Sequence, residues 1–96
     1  MEFEWDEAKA ATNLGKHGVS FTEATTAFAD PLAAIFPDPD HSDDEEREIL
    51  VGYSEYNLLL IVSYTVRADA IRIISARKAS RSERQSHANP TNRGRL

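Results

Sequence analysis

Arginines near the C-terminal end carry the chemistry most readily available to this chain. Ile71-Arg72-Ile73-Ile74-Ser75-Ala76-Arg77-Lys78 is an apolar run of β type broken by Arg72, and Ser80-Arg81-Ser82-Glu83-Arg84 opens a helix bearing two more. Arg67 precedes them on a neighbouring run. Guanidinium groups offer a rigid donor fork that matches phosphate oxygens two at a time. Four or five on one surface suit a nucleic-acid backbone, or a phosphoryl centre on which charge is building. The plainer reading is that Arg72 pairs with Glu46 or Glu48 across a sheet, while Arg81 and Arg84 are solvated helix charges. For Arg67 and Arg77 the functional reading is the better one.

His17, in Lys16-His17-Gly18, is the histidine best placed to move a proton near neutrality. Its alternative role is as a cation at the negative end of a helix dipole. Trp5 is able to stack a base, but beside Phe3 it reads as core. Asp38-Pro39-Asp40-His41-Ser42-Asp43-Asp44-Glu45-Glu46 lacks the central glycine and ligand order of a calcium loop, and reads as a solvated acidic loop. No Gly-rich phosphate loop, nucleophile elbow or zinc spacing is present.

The formal charge of −5 hides a split. Residues 67–96 hold eight Lys/Arg against two acids, whereas residues 1–66 hold three against fourteen. Such asymmetry points to an anionic partner at one end. The chain has 96 residues and no cysteine, which fits one domain and excludes disulfides and thiolate metal sites. No apolar run is long enough to cross a bilayer, and the acidic N-terminus is unlike a signal peptide, so a cytoplasmic protein is expected.

The elements that position these residues follow from punctuation and periodicity. Asp6 caps a helix over Glu7–His17 with an apolar stripe at Ala8, Ala11 and Leu14, stopped by Gly18. Ser20-Phe21-Thr22-Glu23 is a capping box for a second helix that ends before Asp30-Pro31, with Val19 stapled onto Ala24. Strands are expected over Leu32–Phe36, Glu46–Tyr53, Leu58–Val66 and Ala70–Arg77, joined by short connections into an antiparallel meander. Ser80-Arg81-Ser82-Glu83 is a further capping box, opening a helix that Asn89-Pro90 ends. This order predicts an α+β domain over 1–90, two N-terminal helices and a C-terminal helix on one face of a four-stranded sheet, with a disordered tail over 91–96. Strict alternation gathers Glu46, Glu48, Ser63, Thr65, Arg67 and Arg72 on the other face, with Arg77 and Lys78 at its edge.

Several segments together resemble the BrnT-type toxins of bacterial type II toxin–antitoxin systems. They are Phe3-Glu4-Trp5-Asp6, Asn13-Leu14-Gly15-Lys16-His17-Gly18-Val19-Ser20-Phe21, Phe28-Ala29-Asp30-Pro31-Leu32, Asp38-Pro39, Glu45-Glu46-Arg47, Ile71–Ala79 and Glu83-Arg84. The resemblance implies a RelE-like fold, a ribonuclease that arrests translation, and a ribbon-helix-helix antitoxin, BrnA-like, in a higher-order complex. A tyrosine common in the last helix of that family is replaced near His87, so no catalytic role carries over to His87.

The resulting expectation is a ribonuclease without cofactor or metal, acting through the 2′-hydroxyl of RNA. Arg67 and Arg77 would hold the phosphate, His17 would move the proton, and Glu46 would be a second base candidate. Lys16, Arg72, Lys78, Arg81 and Arg84 would bind RNA. The rival is a non-catalytic nucleic-acid-binding or adaptor module, whose arginines only hold a backbone.

Overall fold

The computed structural model describes residues 2–38 and 46–88. The elements run β1 (Glu2–Glu4), α1 (Glu7–His17), α2 (Phe21–Ala27), β2 (Ala34–Pro37), β3 (Arg47–Tyr53), β4 (Leu59–Arg67), β5 (Ala70–Lys78) and α3 (Arg81–Ala88). Both N-terminal helices start as their caps require. Asp6 Oδ1 accepts from the Lys9 amide at 3.1 Å, and Ser20 Oγ accepts from the Glu23 amide at 3.0 Å. Gly18 takes the left-handed geometry (φ 70°) that lets its amide close onto Leu14 O.

The sheet is mixed, with five strands in the order β1-β5-β4-β3-β2. The meander β2 to β5 is antiparallel as expected, but β1 adds a parallel edge, Glu2 to Glu4 beside Ala70 to Arg72. Three residues are too few to show alternation, and the pairing joins the two ends of the chain, so nothing local announces it.

One sheet face carries the core. Leu50, Leu60, Val62, Tyr64, Ile71, Ile73 and Ala76 meet Val19, Phe21, Ala24 and Ala27 from the helices, with Phe3, Trp5 and Phe28 packed on the rim. Trp5 lies edge-on to Phe21 at 5.9 Å, so it is a packing residue. Fully burying side chains of this size contributes roughly 1.5–3 kcal/mol each, which fixes the sheet against α1 and α2. Gly52 permits the close approach, because a Cβ there would meet Ala27 O at 2.9 Å.

The helices are not confined to one face. Val51, Leu59, Ile61 and Ala79 form a second, smaller cluster on the opposite face, and α3 turns back there to seat buried His87 against Tyr53, with ring centres 5.9 Å apart. The apolar stripe of α1 also differs from the expected one. Leu14 is 51 % exposed, and the face turned inward is Ala10, Asn13 and His17. The expected acidic loop and C-terminal tail fall largely outside the described residues.

Candidate active site

The site begins with an irregularity in β5. Ser63 pairs with Ser75, but the next residue, Tyr64, pairs with Ile73, leaving Ile74 as an extra residue in a bulge. In a regular strand Arg77 would share the helix-covered face with Ile71 and Ile73. The extra residue reverses the order: Ala76 drops into the main core opposite Val62, and Arg77 emerges opposite Ile61 on the other face. Bulges re-aim side chains in this way. Strict alternation along Ala70–Arg77 would place Ala76 on the face of Arg72, and the extra residue is what moves it to the core.

Arg77 is then held. Its Nη1 and Nη2 donate to Glu83 Oε1 and Oε2 at 2.8 and 2.9 Å. Glu83 also accepts the Ser80 amide at 2.8 Å, and Ser80 Oγ accepts the Glu83 amide at 3.2 Å. The predicted capping box of α3 therefore forms, and its glutamate doubles as the clamp for Arg77. The paired guanidinium, aided by the Ser80 amide and opposed by partial burial, holds the Glu83 carboxyl down to about 2. Glu83 in turn raises the pKa of Arg77.

His17 reaches the same place through Asn13. Asn13 is buried, and its side chain stands in for a neighbouring strand at the β5 edge beyond the end of β1. Nδ2 donates to Ala76 O at 2.8 Å while the Ala76 amide donates to Oδ1 at 3.1 Å. Nδ2 also donates to Val19 O at 3.0 Å, tying down the chain after Gly18. His17 is four residues on, hence on the same side of α1. It overhangs β5 beside the bulge.

A cavity of about 250 Å³ joins these parts on the face opposite the main core, with His17, Arg77, Arg47, Ser63 and Ser75 among its lining. A groove of about 360 Å³ continues from it past His17, Ile74 and Ser75 to Lys16 and Lys9 along α1. Lys16 thus flanks the site.

Other expected site residues lie elsewhere. Arg67 is exposed at the far end of β4, so the structure does not bring it together with Arg77. Arg72 is drawn to Glu4 of β1 at 2.9 Å, a pairing invisible without the parallel strand. Strand β3 is one residue out of the expected register. Arg47 and Ile49 face the cavity side opposite Thr65 and Ser63, whereas Glu48 pairs with Tyr64 and accepts its hydroxyl at 3.2 Å. Burial and Glu48 push that tyrosine hydroxyl well up. Glu46 is exposed and offers its carbonyl to Thr65 Oγ1 at 2.6 Å; it does not line the cavity. Lys78, Arg81 and Arg84 are exposed outside the cavity, and Arg84 Nη1 donates to Ala79 O at 3.1 Å. Arg47 and Asn13 are the residues that sequence reasoning missed. The Asn13 signal was present: a polar residue four positions before His17.

Comparison with known proteins decides what this arrangement belongs to. The sequence pattern of the ribonuclease toxin BrnT of type II toxin–antitoxin systems matches residues 5–83. The chain belongs to this family. It is therefore a ribonuclease toxin, and the non-catalytic alternative gives way. The crystal structure of the BrnT ribonuclease toxin from Brucella abortus superposes with a TM-score of 0.66 at 30 % identity, covering 84 % of this chain and 99 % of that one. No curated protein matches. BrnT membership implies an antitoxin partner and an RNA substrate, and no described helix is long and apolar enough to cross a membrane.

Proposed function

We propose that this toxin is a metal-independent, RelE-like endoribonuclease that arrests translation in the cytoplasm, with its chemistry at the His17–Arg77 cavity. The supporting observation is that one cavity is lined by both a half-buried imidazole and a guanidinium fixed by a carboxylate. The RNA 2′-oxygen attacks the adjacent phosphorus, the bond to the 5′-oxygen breaks, and a 2′,3′-cyclic phosphate and a 5′-hydroxyl result. His17 moves the proton released by the attacking hydroxyl, and the leaving oxygen collects one. Arg77 offsets the negative charge that builds on the phosphoryl oxygens. Glu83 fixes the plane of the guanidinium, and Lys16 guides the strand along α1. The test is cleavage of a defined RNA in EDTA with analysis of the ends. Cyclic phosphate ends and an undiminished rate are expected. Loss of cleavage with rescue by a divalent ion would return attention to the acidic 38–46 segment.

The partner in this reading is a ribbon-helix-helix antitoxin whose acidic element meets the basic surface of Lys78, Arg81 and Arg84 in a higher-order complex. Charge would steer the encounter and apolar contacts would hold it. Association should slow markedly as salt rises, and R81E with R84E should lower the on-rate more than it raises the off-rate. A salt-independent on-rate would place the antitoxin elsewhere.

A further inference from the structure

The cavity is larger and more apolar than a phosphate alone requires. Its floor includes Ile49, Ile61 and Ile74. Across the sheet, Arg77 stands one row to one side of the Ile49–Ser63–Ser75 row, and Arg47 stands one row to the other. The Arg47 carbonyl takes the Asp38 amide at 3.0 Å, which fixes its backbone. Its Nε is buried and, among the described residues, has no acceptor. A buried donor on a charged group is costly unless something satisfies it. Arg47 nevertheless lines the cavity, together with the buried Asp38, so a ligand seated there lies against it.

We propose that the cavity seats the RNA base next to the scissile phosphate, that Arg47 reads this base, and that the base is guanine. The inference rests on the reading of Arg77 and His17 as the phosphate end. A base is flat and apolar on its faces, which suits an isoleucine floor, and polar at its edge, which suits an arginine across the floor from the phosphate. The guanidinium fork matches the adjacent O6 and N7 acceptors of guanine. Adenine sets an amino donor beside N7, so one arm of the fork meets a donor. Arg47 is then the specificity-determining residue of the site, and Arg77 serves every substrate alike.

Titration calorimetry with the four nucleoside 3′-monophosphates and with inorganic phosphate separates these roles, using wild type, Arg47→Met, Arg47→Lys and Arg77→Ala. Wild type should bind guanosine 3′-monophosphate at least about tenfold more tightly than the others, the discrimination expected of one good bidentate contact. Arg47→Met should abolish the preference while leaving binding of inorganic phosphate unchanged. Arg47→Lys keeps the charge and guards against misfolding of the methionine variant; it should lose most of the preference too. Arg77→Ala should weaken all four nucleotides together and keep guanine ahead. Equal affinities in wild type, or a guanine preference surviving in both Arg47 variants, would overturn the proposal. So would loss of inorganic phosphate binding in Arg47→Met, which would make Arg47 a phosphate ligand. Unchanged affinities in Arg77→Ala would instead overturn the phosphate reading, leaving the base site to stand on its own data.

Discussion

The β4–β5 hairpin carries arginines toward both of its ends, and the two ends are built differently. At the turn end, Arg67 and Arg72 lie on regular ladder, Arg72 tied to Glu4 and Arg67 exposed beside the Ala68-Asp69 turn. At the other end, a bulge turns Arg77 to the face opposite the main core, a helix cap clamps it, and Asn13 docks the end of α1 beside it. Arg67 lies roughly 20 Å along β4 from the Arg77 pairing position, at about 3.3 Å per residue. Like residues thus acquire unlike roles from the backbone around them. A guanidinium becomes useful to a developing charge when its own position costs nothing further to organise.

The largest test of this contrast is in catalysis. Arg77→Ala should lower single-turnover RNA cleavage by about 10²–10³-fold, the usual loss on removing one preorganised donor. Arg67→Ala should change it less than about threefold. His17→Gln should cost about 10²-fold or more in rate while RNA affinity stays near wild type, as expected of a group that moves a proton. Equal losses at Arg67 and Arg77 would erase the distinction between the ends. Affinity falling in step with rate in His17→Gln would make His17 a binding residue.

Asn13 offers the next largest effect. Replacement by alanine leaves the Ala76 amide and two carbonyls without their partner, at about 1–3 kcal/mol for each buried group left unsatisfied. Water at the opened strand edge would recover part of this, so a loss of about 2 kcal/mol in urea unfolding is expected. If Asn13 positions His17, kcat should fall about tenfold with KM little changed in protein that is still folded. Destabilisation with normal kcat would reduce Asn13 to a structural tie.

These residues also show what the sequence could disclose. The Asp6 and Ser20 caps, the Ser80–Glu83 capping box and the Gly18 stop depend on neighbours three or four residues apart, and they form as read. The Glu23 carboxylate, by contrast, accepts the Ser54 hydroxyl in place of closing the Ser20 box. The motif string was legible as a family signature. Arg77 was recognisable as chemistry and was placed at the edge of the open face, but the Ile74 bulge that turns it there was not legible, because alternation presumes an unbroken strand. A different ambiguity put Glu48 on the cavity side in place of Arg47: β3 alternates without a break, but Glu46-Arg47-Glu48 fits either face until the strand is paired. The Arg72–Glu4 contact depends on a parallel strand 68 residues away, and on no local pattern at all.

A smaller effect tests the clamp on Arg77 through pH. The Glu83 carboxyl is held at about 2 against an ordinary 4.5, so it binds protons less readily in the folded state. Its contribution to stability is then fully present above about pH 4.5 and is lost as pH falls through about 2. The pair is partly exposed, 44 % at Arg77 and 21 % at Glu83, so solvent screens it and the contribution should be about 1 kcal/mol or less. Glu83→Gln should be less stable than wild type at pH 7, and the gap should close between about pH 4.5 and pH 2. A gap that does not change with pH would show that the cap geometry, and not the charge on Glu83, is what stabilises.

The smallest effect belongs to the turn end. Ala68 sits at φ 52°, a left-handed conformation that disfavours a Cβ. That conformation costs an L-residue roughly 1–2 kcal/mol, and glycine would relieve it. Glycine gives back about 0.5–1 kcal/mol through the greater freedom of the unfolded chain. Ala68→Gly should therefore raise stability by about 0.5 kcal/mol, read as a small upward shift in the urea midpoint at constant m-value. Cleavage should be unchanged, because the turn holds nothing that His17, Arg77 or the cavity requires. A fall in cleavage with this gentle substitution would show that the turn end is coupled to the site, and the division of the hairpin into a chemical and a structural end would have to be withdrawn.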